Sequence, residues 1–418
     1  MNKIILIPLL IIVFLILDFY AYQAIKLAFS SASILTRKVI FYIYWSISVI
    51  TVIAILSFLF VVPEKLGFVL RSFILTAIIG NLLTKLIIVI FLLLDDFQRL
   101  LRWITIKIFN TSKGSPLSTP VSISRSEFLA QAGLVIASVP AVAMGFGILS
   151  GAHDYRIRKQ VLSLKNLPKA FDGLKILQIS DIHSGSFFNK TAVKGGVEKI
   201  LSQKADIIFF TGDLVNDRAD EMKDYFDIFK NIKAPMGVFS TLGNHDYGEY
   251  VSWSSLEAKK KNLQTLIQIH KSMGWDILMN ENRLLGKAGD QVSIVGIENW
   301  GAGSRWPKYG KLEKALQGTN DSSVKLLLSH DPSHWDAQVR PQFKDVDVMF
   351  SGHTHGFQFG VDAAGIKWSP VQYVYKQWGG LYQMDNQQLY VNRGFGYIGF
   401  PGRVGMPPEI SVFELKRA

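Results

Sequence analysis

Leu174-Lys175-Ile176-Leu177-Gln178-Ile179-Ser180-Asp181-Ile182-His183 is an apolar run of strand length that ends on a carboxylate and an imidazole two residues apart. The arrangement returns four times downstream, at Gly212-Asp213, Gly243-Asn244-His245-Asp246, Ser329-His330 and Gly352-His353-Thr354-His355. The chain has eight histidines and five of them fall in these islands, whereas His153, His270 and His334 have no such context. Two neighbouring divalent cations need a carboxylate that can bridge them and several neutral imidazole or carbonyl-oxygen ligands, and the islands supply that set. A single Asp or His at a strand end is more often a cap or a satisfied surface group, so the inference rests on the whole set.

Around the islands, strand-length apolar runs alternate with helical-period segments. Strands are expected near 174–179, 207–210, 236–241, 292–297, 324–329, 346–350, 387–391 and 410–415, and helices near 190–203, 219–231, 256–273, 308–317 and 334–340. Continuous apolar strands separated by helices predict an α/β fold with buried strands. So many strands in about 260 residues predict two packed sheets with helices outside, a four-layer α/β/β/α sandwich. Every island follows a strand, and layered α/β folds gather their ligands at the carboxyl ends of strands.

The first 150 residues differ in kind. Stretches near 4–25, 39–62, 72–94 and 128–149 approach or exceed the roughly 20 apolar residues that cross a ~30 Å hydrocarbon layer, which predicts about four transmembrane helices. The expected division is a membrane domain over 1–150 and a catalytic domain over 151–418. Asp18 and Lys85 interrupt two of the spans, and a packing pair inside the bundle or a transport or sensing role would each account for them. The net charge is +12, of which +7 lies in residues 1–150, beside lipid headgroups rather than in a stripe suited to nucleic acid. Lys26, Arg37 and Lys38 in the first connection, and Arg99, Arg102, Lys107, Lys113 and Arg125 between 95 and 127, place both connections in the cytoplasm. The 63–68 turn, with Lys65 beside Glu64, fits the opposite side, so the catalytic domain is expected outside the cytoplasm at the cell membrane. Arg99 to Phe109 suits a helix lying on the inner leaflet, and 111–120 reads as a cytoplasmic loop. Ser124-Arg125-Ser126-Glu127-Phe128-Leu129 resembles a twin-arginine export signal with Ser126 in place of the second arginine. The chain contains no cysteine, which excludes disulfides, thiolate metal sites and a cysteine nucleophile.

The order DxH, GD, GNHD, H, GHTH resembles the calcineurin-like metallophosphoesterase superfamily over residues 174–415, and its membrane-attached bacterial branch in particular. The resemblance implies that Asp181, His183 and His355 hold one metal, that Asn244, His330 and His353 hold the other, and that Asp213 bridges them. It also implies that a metal-bridging hydroxide attacks phosphorus and that His245 is the proton donor. Asp246 or Asp217 could orient the His245 ring. The implied cofactors are two divalent ions, with Mn, Fe, Zn and Co all compatible with the donors.

Tyr390 to Gly396, followed by Pro401-Gly402-Arg403, resembles a closing segment of that branch; Arg393 or Arg403 could clamp a phosphate, or could pair with acids while Gly394 and Gly396 permit a tight turn. Trp368, Tyr373, Tyr375 and Trp378, with Phe357 and Phe359 before them, suit a membrane interface, an apolar substrate wall or the core of an insertion. The resulting expectation is a membrane-anchored phosphohydrolase acting on phosphodiester or pyrophosphate bonds of a small or lipid-linked molecule. No nucleic-acid partner is expected, and no protein partner is inferred. The open alternatives are a UDP-diacylglucosamine pyrophosphate hydrolase of lipid A synthesis, whose substrate is handled on the cytoplasmic face, and an inactive membrane sensor or scaffold.

Overall fold

A computed structural model describes residues 3–60, 66–109, 125–303, 307–363 and 365–418. Residues 63–65 of the expected 63–68 turn lie outside the described residues, and the 111–120 loop with Lys113 lies wholly outside them. The chain divides into two compact units, Met1–Gly145 and Phe146–Ala418.

The first unit is built from α1 (Lys3–Ala28), α2 (Ile34–Phe60), α3 (Phe68–Phe109) and the greater part of α4 (Arg125–Leu149). All four helices are long and apolar enough to cross a membrane. Ala21, Ala24, Ala130 and Ala137 are buried at the helix contacts, where small side chains let backbones approach, while Ile, Leu and Phe side chains cover the outside. Asp18 and Lys85 are both buried and form an ion pair, to which Tyr44 and Ser48 add hydrogen bonds. The segment 99–109 is not a separate helix on the leaflet. It continues α3 without a break for 42 residues, roughly 63 Å at 1.5 Å per residue.

The second unit contains β1 (Arg156–Leu164), β2 (Lys175–Ile179), α5 (Lys190–Ser202), β3 (Ile207–Phe210), α6 (Phe226–Phe229), β4 (Val238–Ser240), α7 (Leu256–Ser272), β5 (Asp276–Ile277), β6 (Glu281–Lys287) and β7 (Asp290–Gly296). It continues with α8 (Leu312–Ala315), β8 (Val324–Leu328), α9 (Arg340–Gln342), β9 (Val348–Ser351), β10 (Val361–Ala363), β11 (Ile366–Trp368), β12 (Gly380–Met384), β13 (Gln387–Val391) and β14 (Glu409–Arg417). One sheet has the order β1-β14-β2-β3-β4-β5 and the other β12-β13-β9-β8-β7-β6, with β10-β11 a separate ribbon.

The central strands β3 and β8 are buried along their whole length, which is why they read as continuous apolar runs. Between the sheets, Phe209, Phe350, Phe413 and Tyr390 stack edge to face with ring centres 4.7–5.1 Å apart. Val193, Val197 and Leu266 of α5 and α7 cover the outside of the first sheet, and Leu312, Trp335 and Val339 cover the second. Two expected helices are shorter than their periodicity suggested, and a third differs in type. Residues 219–231 form a 3-10 turn and one helical turn, 308–317 keeps only α8, and 334–340 is a π turn leading into α9.

Candidate metal centre

Strands β2, β3, β4, β8 and β9 are parallel within their sheets, and each releases its island at its carboxyl end. The backbone does the aiming there. Asp181, His183, Asp213, His353 and His355 all take left-handed φ between 50° and 71°, a conformation that costs a non-glycine residue about 1–2 kcal/mol. Two glycines make room. Gly212 has φ +97°, and a Cβ on it would strike the Gly243 backbone; a Cβ on Gly352 would run into the Asp181 carboxylate.

The donor atoms converge. Asp181, His183 and His355 form one group and Asp213, His330 and His353 a second, with ligand atoms in each within 4.8 Å of one another. His183 Nε2 and His355 Nε2 face each other at 3.1 Å, and His355 Nε2 lies 3.3 Å from Asp181 Oδ1. Asn244 Oδ1 lies 2.8 Å from His353 Nδ1 and 3.2 Å from His330 Nε2. Asp213 Oδ2 stands between the groups, 3.1 Å from His330 Nε2 and 3.6 Å from His183 Nε2. Bare imidazole nitrogens aimed at one another inside a protein repel unless a proton or cation lies between them, so these residues fit a pair of metal ions.

Partners behind the rings select the nitrogen that faces the centre. His330 Nδ1 donates to the Thr211 carbonyl at 2.7 Å, and His353 Nε2 meets the Tyr375 hydroxyl at 2.8 Å. Burial lowers the pKa of His183 to about 3 and also lowers those of His353 and His355, which keeps them neutral and ready to ligate. His330 is the exception: burial pulls it down, but the charge and hydrogen bond of Asp213 prevail and raise it to about 10. Asp213 is held well below the usual carboxylate range because His330 and His245 outweigh the penalty of its burial.

His245 is partly buried and lines a cleft of about 390 Å³ together with Asp213, Asn244, His353, His355, Val374, Tyr375 and Ile398. Its Nδ1 donates to the Asn216 carbonyl at 2.7 Å, and its ring rests beside Tyr250 with centres 4.5 Å apart. Asp246, next to it in sequence, and Asp217 both bond to the main chain. Asp246 accepts the amides of Asp213, Leu214, Val215 and Gly243 at 2.8–3.3 Å, tying the second island to the third, and Asp217 Oδ1 accepts the Tyr250 amide.

The expected arginine clamp needs correction. Arg393 is buried between Glu409 (2.5 Å) and Asp362 (2.6 Å). Arg403 is buried and donates to the carbonyls of Gly396, Arg393, Met406 and His355, so neither guanidinium is free to fork onto a phosphate. They secure the closing segment, which itself ties to the first island through Phe395 N to Ser180 O and Gly396 N to Asp181 O. Asn216 and Tyr250 are site residues that sequence reasoning missed, although Asn216 stands only three residues past Asp213, while Tyr375, one of the aromatics considered for a substrate wall, does line the cleft.

The metallophosphoesterase YkuE of Bacillus subtilis (strain 168) is 31% identical over 301 residues, which cover 70% of this chain and 98% of that protein. The calcineurin-like phosphoesterase profile matches residues 174–357. The chain belongs to the calcineurin-like phosphoesterase family. The transmembrane-domain profile of four-helix phosphoesterases matches residues 2–152, so this phosphoester hydrolase carries a membrane domain. Two further relatives are the phosphodiesterase YaeI of Escherichia coli (strain K12), 27% identical over 70% of this chain and 99% of its own length, and the UDP-2,3-diacylglucosamine pyrophosphatase LpxG of Chlamydia trachomatis, 30% identical over 60% of this chain and 86% of its own length.

Proposed function

We propose that this phosphoesterase is a two-metal hydrolase of phosphodiester or pyrophosphate bonds in a small or lipid-linked molecule. The supporting observation is the convergence of seven donor side chains on two adjoining points with Asp213 between them. In this reading Asp181, His183 and His355 hold one ion, Asn244, His330 and His353 hold the other, and Asp213 bridges. Bound divalent ions supply Lewis-acid stabilisation of phosphate charge and acidify water toward neutral pH, and Mn, Fe, Zn and Co all suit the donors.

His245 is the proton donor to the departing oxygen. The Asn216 carbonyl holds Nδ1–H, which leaves Nε2 for the substrate, and burial lowers the ring's pKa, making its protonated form a readier acid. With Lys26, Arg37 and Lys38 at the first connection and Arg99, Arg102 and Lys107 on the last turns of α3, the loop charges favour a cell-membrane location with the catalytic unit outside the cytoplasm. The LpxG similarity favours a second reading, pyrophosphate hydrolysis of a UDP-linked diacylglucosamine, which requires the opposite orientation.

The test is hydrolysis by the full chain in detergent with Mn²⁺ of a phosphomonoester, bis(p-nitrophenyl) phosphate, a UDP-linked lipid and a phospholipid, beside His245→Ala. Loss of the donor is expected to slow diesters with poor leaving groups by about 10²–10⁴ and p-nitrophenolate release by much less. Equal slowing across leaving groups removes His245 as the donor. Undiminished turnover after removal of divalent ions removes the two-metal reading.

A further inference from the structure

The ribbon β10-β11 reverses the usual arrangement of polar and apolar faces. Its register pairs Val361 with Trp368, Asp362 with Lys367 and Ala363 with Ile366. Because alternate residues point to opposite faces, Val361, Trp368, Ala363 and Ile366 share one face, and Asp362 and Lys367 the other. The charged pair is tied to the protein by polar bonds, with Asp362 half-buried and Lys367 exposed like the rest of β11. Asp362 accepts from Arg393 and Arg158, and Lys367 donates to the Gly379 carbonyl and the Tyr382 hydroxyl above the Trp378 ring. The apolar face is left outside, with Ile366 60% exposed and Trp368 38%.

The stripe extends beyond the ribbon. Phe359 stacks edge-on against Trp368 with ring centres 6.3 Å apart, and Phe357, in the left-handed conformation at φ 58°, is 59% exposed. A bulky aromatic held outward in that conformation is strained, and such strain persists only where the surroundings impose it. On the next turn Tyr373 and Val374 are the most exposed large apolar residues of this region, and Lys376 beside them is also exposed. Val374 and Tyr375 then form a wall of the metal cleft. Of the aromatic segment, only Trp378 turns fully inward as core.

We propose that this face inserts into the headgroup layer of a phospholipid bilayer, bringing the mouth of the metal cleft to the lipid surface. Two features select lipid over other apolar partners. The chain has four helices suited to membrane spanning, so a bilayer is tethered to this unit at high effective concentration, and modest insertion energy suffices to hold contact. The stripe also combines Trp, Tyr, Phe and Ile with an exposed lysine, the composition of an interfacial anchor on an anionic surface, whereas a protein-binding patch has no need of the lysine. The bonds of Asp362 and Lys367 to the domain tie down the opposite face of the ribbon.

The absence of cysteine makes a direct test simple. The full chain with Ile366→Cys carries an environment-sensitive fluorophore in nanodiscs of phosphatidylcholine and phosphatidylglycerol, one copy per disc. A reference label sits at Leu284→Cys on β6, at the opposite edge of the sheet that carries β12. Insertion predicts that nitroxide-bearing lipids quench the label at 366, that aqueous iodide does not reach it, and that iodide does reach the label at 284. Adding Trp368→Ser is expected to lower the inserted-to-free ratio about tenfold. Iodide reaching the label at 366 as readily as the label at 284 overturns the proposal. Protection seen only in discs with two copies also overturns it and assigns the face to a second chain. Hydrolysis of bis(p-nitrophenyl) phosphate by Trp368→Ser should match the parent, so insertion is judged separately from the metal chemistry.

Discussion

Replacing Asp246 tests how the centre is assembled. Its carboxylate is fully buried and accepts four main-chain N–H groups, those of Asp213 and Gly243 on one oxygen and those of Leu214 and Val215 on the other. Asn keeps one accepting oxygen but turns its NH₂ toward two of these donors. Each buried donor left without an acceptor costs about 1–3 kcal/mol, so Asp246→Asn should destabilise the catalytic unit by about 2–6 kcal/mol. The four amides belong to the turns that present Asp213 and Asn244, so metal affinity should fall about 10–100-fold, as for other supports behind metal ligands. The assay pairs thermal unfolding of detergent-purified protein with metal titration followed by calorimetry. If metal affinity and unfolding match the parent while only the pH–rate profile moves, Asp246 acts on His245 and the account of the two islands is wrong.

Arg403→Lys should lower the melting temperature, because an ammonium cannot reach all the carbonyls the guanidinium fork serves; KM for bis(p-nitrophenyl) phosphate should stay within about twofold, and a large rise in KM would return Arg403 to the substrate. His270 is buried beside Ser240 and Trp275 and its pKa is lowered to about 3 by burial. The unfolded chain therefore binds the extra proton as pH falls below about 6.5, and the contribution, about 4–5 kcal/mol in full, is present above that pH and lost progressively toward pH 3. His270→Gln should flatten this acid limb in melting temperatures measured from pH 7 to 4, and identical limbs refute the assignment. Chelation should remove about 2.7 kcal/mol of stability for each ion held at 100 times its Kd, seen as a lower melting temperature. It should also take up protons, since His330 regains the one that metal displaces, and no uptake in weakly buffered solution would contradict the His330–Asp213 pairing.

The islands were legible because β2, β3, β8 and β9 are buried on both faces and write themselves as apolar runs, and because Asp, His and Asn in a row after such runs have few structural uses. Edge elements were not legible. β1, with Arg156, Arg158 and Lys159, is exposed along much of one side, and β6 carries Glu281, Arg283 and Lys287, so neither shows the apolar alternation of a half-buried strand. The support of His245 escaped for a different reason. It comes from the main-chain carbonyl of Asn216, and a carbonyl has no side-chain signature. The arginines misled because a guanidinium near a phosphoesterase motif suggests an anion, while Glu409 and Asp362, the partners of Arg393, lie 16 and 31 residues away in sequence. Nor could periodicity show that the third span continues to Phe109, because its last turns exchange apolar for basic residues without any helix-breaking residue.

The left-handed backbone at Asp181, His183, Asp213, His353 and His355 fixes the aim of the donors through the chain path itself. The same twist screens replacements twice, once for chemistry and once for shape: Asn or Gly can enter these five positions without disturbing the chain path, whereas valine or isoleucine would bend it before the loss of a donor was felt.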